Sequence, residues 1–335
     1  MVLMMITIMV GPSTNNAAEV FQSTVAKDGS GNYMKISDAV AAAPNYSKTR
    51  YTIKIKAGVY VEQVIVGKEK QNLAFIGDGA DNTIISGDRS VNSGFTLQDT
   101  STVDINGDYF IAMHITFNNS AGPLANQAVA LRNNADYSAF YMCNFNGYQD
   151  TIYVDQGTQF FKNCNIYGST DFIFGISAVV FQDCNIYVRN KINSEQVITA
   201  QGKEKTTEGL SGISFHRCHI QGAPDLDLKS GEKSFLGRPW RDSSTVVFME
   251  STLESIIAPE GWELWEGVPP SPSIFYGEYN NKGAGASTNG RVEWAKPGES
   301  MTRLQAEQFT VRNLIKGSTW LPATKIPFDL DLAKP

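Results

Sequence analysis

The chain predicts an all-β solenoid with short helices near its ends. Two observations carry that reading. Apolar residues recur with period 2 in short runs of Val, Ile, Phe and Tyr broken by Gly, Asn and Asp, as in YTIKIKAGVYVEQVIV (51–66). Such alternation marks strands. Second, one pattern returns along the middle of the chain: Phe, two residues, a small or medium residue, one residue, an apolar residue. It appears at Phe110/Met113/Ile115, Phe140/Cys143/Phe145, Phe161/Cys164/Ile166, Phe181/Cys184/Ile186, Phe215/Cys218/Ile220 and Phe248/Ser251/Leu253, with spacings of 30, 21, 20, 34 and 33 residues. A strand that recurs at about 20 residues with variable insertions belongs to coils that cannot bury an apolar face alone and must stack. Stacking turns the Phe and Cys positions into interior ladders. Chance recurrence of Phe in a β-sandwich is the competing explanation, and six matches in one register weigh against it.

The remaining elements follow in chain order. The first ten residues, MVLMMITIMV, are apolar. Ten is too short to cross a bilayer. It suits a signal-peptide core, with Ala17-Ala18 near a cleavage point, although the positive n-region is absent. Residues 1–18 are therefore expected to be a truncated signal segment. SDAVAAAP (37–44) reads as a short helix with Ser37 as N-cap and Pro44 as stop. TRLQAEQFTVRNLI (302–315) starts with Thr302 and Gln305 in capping-box spacing and carries an apolar stripe. Both helices are expected to close the open ends of the solenoid, where bare strand edges invite aggregation.

Composition bounds the function. The 335 residues are 42% hydrophobic and 19% charged, with net charge −6. One large all-β domain accommodates that length. No basic run is present, which excludes the electrostatic footprint of a nucleic-acid binder. No membrane span is expected. The sequons at Asn45-Tyr-Ser and Asn118-Asn-Ser suit a secreted chain.

The register singles out two aspartates. Asp150 lies seven residues after Cys143, and Asp171 lies seven after Cys164. Equal offsets in adjacent coils place residues above one another, and neighbouring strands are about 4.8 Å apart. The two carboxylates should therefore leave one face, about 4–6 Å apart. Two acids that close do not both ionise cheaply, so one tends to keep its proton. That is the arrangement acid–base chemistry needs. The alternative is that both merely cap turns. Each, however, precedes an apolar-aromatic run, Thr-Ile-Tyr or Phe-Ile-Phe, rather than sitting in a Gly/Asn turn.

The same residues carry a family likeness. GVYVE (58–62), NQAVAL (126–131), GYQDTIY (147–153), DFIFG (171–175) and LGRPW (236–240) resemble, in order, the five signature segments of plant-type pectin methylesterases. Further similarity runs from DGSGNYMKISDAVAAAP to GSTWLPATKIPF, nearly the whole chain. The resemblance implies a right-handed parallel β-helix, with 19–335 as a single catalytic domain and no N-terminal inhibitor-like pro-domain. It implies hydrolysis of methyl esters on galacturonosyl units of pectin (homogalacturonan), with no cofactor and no metal. By motif match Asp171 is the nucleophile and Asp150 the general acid, later the base. Gln127 and Gln149 hold the developing oxyanion, and Arg238 orients Asp171 and keeps it ionised. Tyr153, Phe174 and Trp240 match aromatic positions of the sugar groove, and Thr96 matches a substrate-contact threonine. Trp262 and Trp265 in GWELW suit groove and core alike. The resemblance further implies a secreted, monomeric cell-wall protein, a proteinaceous pectinesterase inhibitor as partner, and a Cys184–Cys218 disulfide. Cys143 and Cys164 stay open between pairing and buried thiols.

Three departures bear on subsites. Asp155 stands where the family often has a base after its QDT motif, Ser169-Thr170 replaces Thr-Val, and FTLQ (95–98) replaces TTF. Competing functions are weaker. A lyase wants calcium-binding acidic clusters with a basic proton abstractor, and a galacturonase wants further acids around its carboxylate pair. A wall-binding pseudoenzyme would not need all five of Gln127, Gln149, Asp150, Asp171 and Arg238.

Overall fold

The run from Tyr51 to Val66 shows how the fold is made. It supplies three short strands, Tyr51–Ile55, Gly58–Val61 and Val64–Val66, one to each of three sheets. Each later circuit visits the sheets in the same order, as far as Thr252–Leu253. The result in this computed structural model is a parallel β-helix with sheets of ten, eight and seven strands among the described residues. Those residues are 20–190, 196–209, 211–227, 233–265, 267, 269–295 and 300–334. The expected signal segment at 1–18 lies outside them.

Identical side chains stack inside the coils. Phe140, Phe161, Phe181, Phe215 and Phe248 are paired in register on the ten-stranded sheet. Their rings stack at 4.5, 4.6, 5.1 and 4.3 Å. All five are fully buried, and burying a side chain of this size is worth about 1.5–3 kcal/mol. Cys143, Cys164, Cys184 and Cys218 follow in the same coils, all as buried free thiols. The disulfide that the resemblance implied between Cys184 and Cys218 is not formed here. Instead each sulfur donates to a main-chain carbonyl, Cys184 to Phe161 at 3.5 Å and Cys218 to Phe181 at 3.3 Å.

The first rung of the expected ladder is displaced by two residues. Phe140 pairs with Ala112, not Phe110, and Phe145 pairs with Phe117, not Ile115. Side chains alternate with period 2, so a slip of two leaves the same face inward. Phe110 is therefore still fully buried, with its ring 5.9 Å from Phe140.

The helices differ from expectation too. Helix α1 spans Ile36–Ala42, and its N-cap is Lys35 rather than Ser37. The Glu62 carboxylate accepts from the N–H groups of Ile36 and Ser37, both at 2.9 Å. A side chain from another coil thus satisfies the orphan donors that a local cap would have taken. Ile36, Ala39 and Val40 join the main core and close its N-terminal end. Helix α2 covers only Arg303–Glu307, with Thr302 and Gln305 in the expected capping box. It does not close the other end. Ala306 packs on Val247 and Met249, and Val311, Leu314, Trp320 and Leu321 pack on Ala74, Ile111, Ala139 and Phe160. These partners face outward from the ten-stranded sheet, so the C-terminal segment shields that sheet. Trp262, Tyr276 and Trp294 close the C-terminal end of the core.

Candidate active site

The outer face of the seven-stranded sheet carries the site. One register row runs Asp104, Arg132, Tyr153, Phe174, Ala200, Arg238. The alternate row, with Leu131, Ile152 and Ile173, faces the core.

Strict alternation would send Asp171 inward with Ile173. The structure avoids this with one extra residue. Thr170 pairs with Val197 while Ile173 pairs with Thr199, so the strand Thr170–Gly175 bulges between them. A bulge re-aims side chains. Asp171 takes the left-handed conformation (φ 49°) and opens into the trough, and Phe172 joins the core instead. Asp150 also has positive φ (65°). It ends a turn that precedes the strand Ile152–Val154, so it does not begin the strand as its sequence context suggested. Asp tolerates this region better than most residues. Both corners also need a glycine four residues before the tucked side chain. A Cβ at Gly168 would sit 2.2 Å from that of Phe172, and one at Gly147 would sit 2.6 Å from Thr151 Oγ1.

A cavity of about 190 Å³ gathers Gln127, Gln149, Asp150, Asp171, Phe174, Arg238 and Trp240. Leu97, Ala200 and Trp265 complete its wall. Asp150 and Asp171 are each only 6% exposed. Arg238 holds Asp171 with a two-pronged grip, Nε to Oδ1 at 2.8 Å and Nη2 to Oδ2 at 2.6 Å. Its guanidinium also stacks 3.5 Å over the Trp265 ring, and Nη1 lies 3.8 Å from Glu263 Oε2. A bidentate, stacked arginine is fixed in plane as well as in charge. The turns are tied together through the main chain. Ala128 N–H donates to Gln149 O at 3.1 Å, and Asp150 N–H donates to Thr170 O at 3.1 Å.

Two expected groove residues stand apart from the cavity wall. Tyr153 lies behind Phe174, stacked at 4.4 Å and 8% exposed. Burial, and after it the charge of Asp155, push its phenol well above the ordinary range. Thr96 is exposed and spends its hydroxyl on Asp99 Oδ2 at 2.6 Å, while its neighbour Leu97 reaches the cavity. Asp155, noted as a departure, is buried and binds Arg132, which also pairs with Asp104. Trp262 is core and Trp265 is site. Gly237 bridges Trp262 on the inward row, which decides between them. Glu263 and Ala200 carried no signal in the sequence, since only the register brings them beside Arg238.

Fold and site together define a parallel β-helix protein with a paired-aspartate trough, walled by aromatics, on the outer face of one sheet. The pectinesterase family model matches residues 22–318, and the chain belongs to the pectinesterase family. It is 47% identical to pectinesterase 2 of Citrus sinensis over 91% of its own length and 59% of that protein. It is also 47% identical to a pectinesterase/pectinesterase inhibitor of Prunus persica, again over 91% of this chain and 59% of that one. The chain thus spans under two thirds of these two relatives. A solved pectin methylesterase from carrot superposes with a TM-score of 0.90 at 44% identity, covering 97% of this chain and 100% of that one.

Proposed function

We propose that this protein hydrolyses methyl esters of galacturonosyl units in pectin, releasing methanol and leaving de-esterified pectin. The observation that carries the reading is the Arg238–Asp171 pair, which shares one small cavity with Asp150, Gln127 and Gln149.

Asp171 is the nucleophile. Gripped by Arg238, its carboxylate stays charged beside an apolar wall, because a bound cation favours the ionised form. One Asp171 oxygen attacks the ester carbonyl carbon, and the carbonyl electrons move onto oxygen. The side-chain amides of Gln127 and Gln149 donate to that oxyanion. One such donor is worth about 3–4 kcal/mol in other acyl-transfer sites. As the tetrahedral species collapses, the C–O bond to the methoxy group breaks. Asp150, protonated at this stage, gives its proton to the departing oxygen, and methanol leaves. An acyl–Asp171 anhydride remains. Asp150, now a carboxylate, takes a proton from water as the water attacks. The galacturonic acid is released and gives its proton to solvent, Asp171 is again a carboxylate and Asp150 is again an acid.

Phe174, Trp240 and Trp265 give the sugar an apolar wall on one side of the acid pair. A wall polysaccharide as substrate would put the protein outside the cell, in the wall; in this reading residues 19–335 are one catalytic unit that acts as a monomer. A proteinaceous inhibitor would act by covering the same trough. Methanol release from highly esterified pectin, followed together with viscosity, tests the reading. Methanol should appear with no fall in viscosity. A fall in viscosity without methanol would instead mean cleavage of the backbone.

A further inference from the structure

Two corners carry the acid pair, Gly147–Asp150 in one coil and Gly168–Asp171 in the next. Both hold their aspartate in a sparsely populated backbone region. Such conformations persist only where the surroundings over-determine them. One residue outside the cavity bears on both corners, on one through its main chain and on the other through its side chain. Arg189, just after the strand Asn185–Val188 of the third coil, is not among the residues lining the cavity.

Its main-chain N–H donates to Gly168 O at 2.8 Å, holding the start of the Asp171 corner. Its guanidinium then reaches past that coil to the one before it. Nη1 donates to Gly147 O at 3.1 Å, and Nη2 donates to the Tyr148 hydroxyl at 2.6 Å. The guanidinium carbon lies 3.8 Å from the centre of the Tyr148 ring. Nε is anchored on Asp225 Oδ2 at 3.0 Å, on the corner of the following coil. Tyr148 in turn accepts from Ser169 N–H through its carbonyl at 2.9 Å, linking the two corners directly. Gln149 and Asp150 follow Tyr148 in sequence.

We propose that Arg189 is a positioning residue for ester hydrolysis. It staples the two corners and so sets the separation of Asp150 from Asp171 and the aim of Gln149. This rests on the reading of those residues given above. An exposed ion pair alone would contribute little. Arg189 is only 23% exposed, and it binds a carbonyl, a hydroxyl, a ring face and a carboxylate at once. Only a planar five-donor fork does that, and lysine cannot.

The test is methanol release by Arg189→Ala, Arg189→Lys and Tyr148→Phe, with kcat and KM measured separately well below each variant's melting temperature. A displacement near 1 Å at reacting groups costs about a hundred-fold in rate. Both Arg189 variants should therefore lose about ten- to a hundred-fold in kcat, with KM within about twofold. Tyr148→Phe keeps the ring and loses only the hydroxyl contact, so it should fall between these and wild type. Wild-type kcat in Arg189→Ala, or its recovery in Arg189→Lys, overturns the staple. If Arg189→Ala does not fold, unchanged kcat in the other two variants overturns it equally. Asp171→Ala in the same assay separates the two ideas. If it is inactive while the Arg189 variants are fully active, only the staple fails. If it is active, the underlying reading fails.

Discussion

Arg238 and Asp171 meet fork to fork, through two hydrogen bonds of 2.8 and 2.6 Å, although 67 residues separate them in sequence. That pairing answers how an acid persists beside Phe172, Ile173 and Phe174. An unpaired buried carboxylate would cost several kcal/mol. Here a bulge turns it outward and an arginine from two strands away receives it.

Arg238→Lys therefore separates charge from geometry. Lysine keeps the positive charge but cannot make two parallel bonds or stack on Trp265 in the same plane. Initial rates of methanol release should fall about a hundred-fold or more, as expected when a reacting group loses its alignment. Activity within about twofold of wild type would show that charge alone suffices.

The cysteine ladder should be chemically silent. Burial pushes the Cys143 thiol up to about 12, and raises Cys184 and Cys218 as well. The thiolate is the reactive form. Titration of the native protein with a chromogenic disulfide reagent should find no reactive thiol, and titration after denaturation without reductant should find all four of the chain's cysteines. Two thiols on denaturation would instead show a disulfide.

His216 should make stability fall on the acid side. It is fully buried, with Nε2 3.0 Å from Glu250 Oε2 and Nδ1 3.2 Å from Gln182 Nε2. Burial, then the Arg217 charge, lower its pKa from 6.5 against the pull of Glu250 and Asp183. Below the ordinary value the unfolded chain binds the proton more readily than the folded one. Its contribution is thus complete above 6.5 and is lost as pH drops through the lower folded value. Urea midpoints measured from about pH 7.5 to about pH 5.5 should decline more steeply for wild type than for His216→Gln. Equal slopes would contradict this.

Net charge bears on how the product is patterned. At −6 the protein should be drawn only weakly to the polyanion that the proposed reaction would leave. De-esterification should therefore come in short or scattered runs, mapped by digestion with an endopolygalacturonase. Long contiguous blocks at moderate salt would contradict the expectation.

The sequence shows the solenoid, and brings Asp150 and Asp171 to one cavity, because the coils from Phe140 to Phe181 carry no insertion. Their spacing is a direct count of residues per turn. It does not show the two-residue slip at Phe110, because a shift of two preserves the alternation that the eye follows. The bulge at Asp171 is equally hidden, since only the pairing of Thr170 and Ile173 with a neighbouring strand reveals it. The cap at α1 comes from Glu62, two elements later in the chain, so Ser37 looked like the natural choice. Thr96, Leu97, Glu263 and Trp265 lie in segments without strand periodicity. Nothing local tells which of them turns towards the trough.

The most direct measurement is the methanol-release rate of Asp171→Ala against wild type on the same esterified pectin, with matched folding and pectin binding. The account predicts that turnover is abolished while both controls are preserved. Equal release by the two proteins would contradict it.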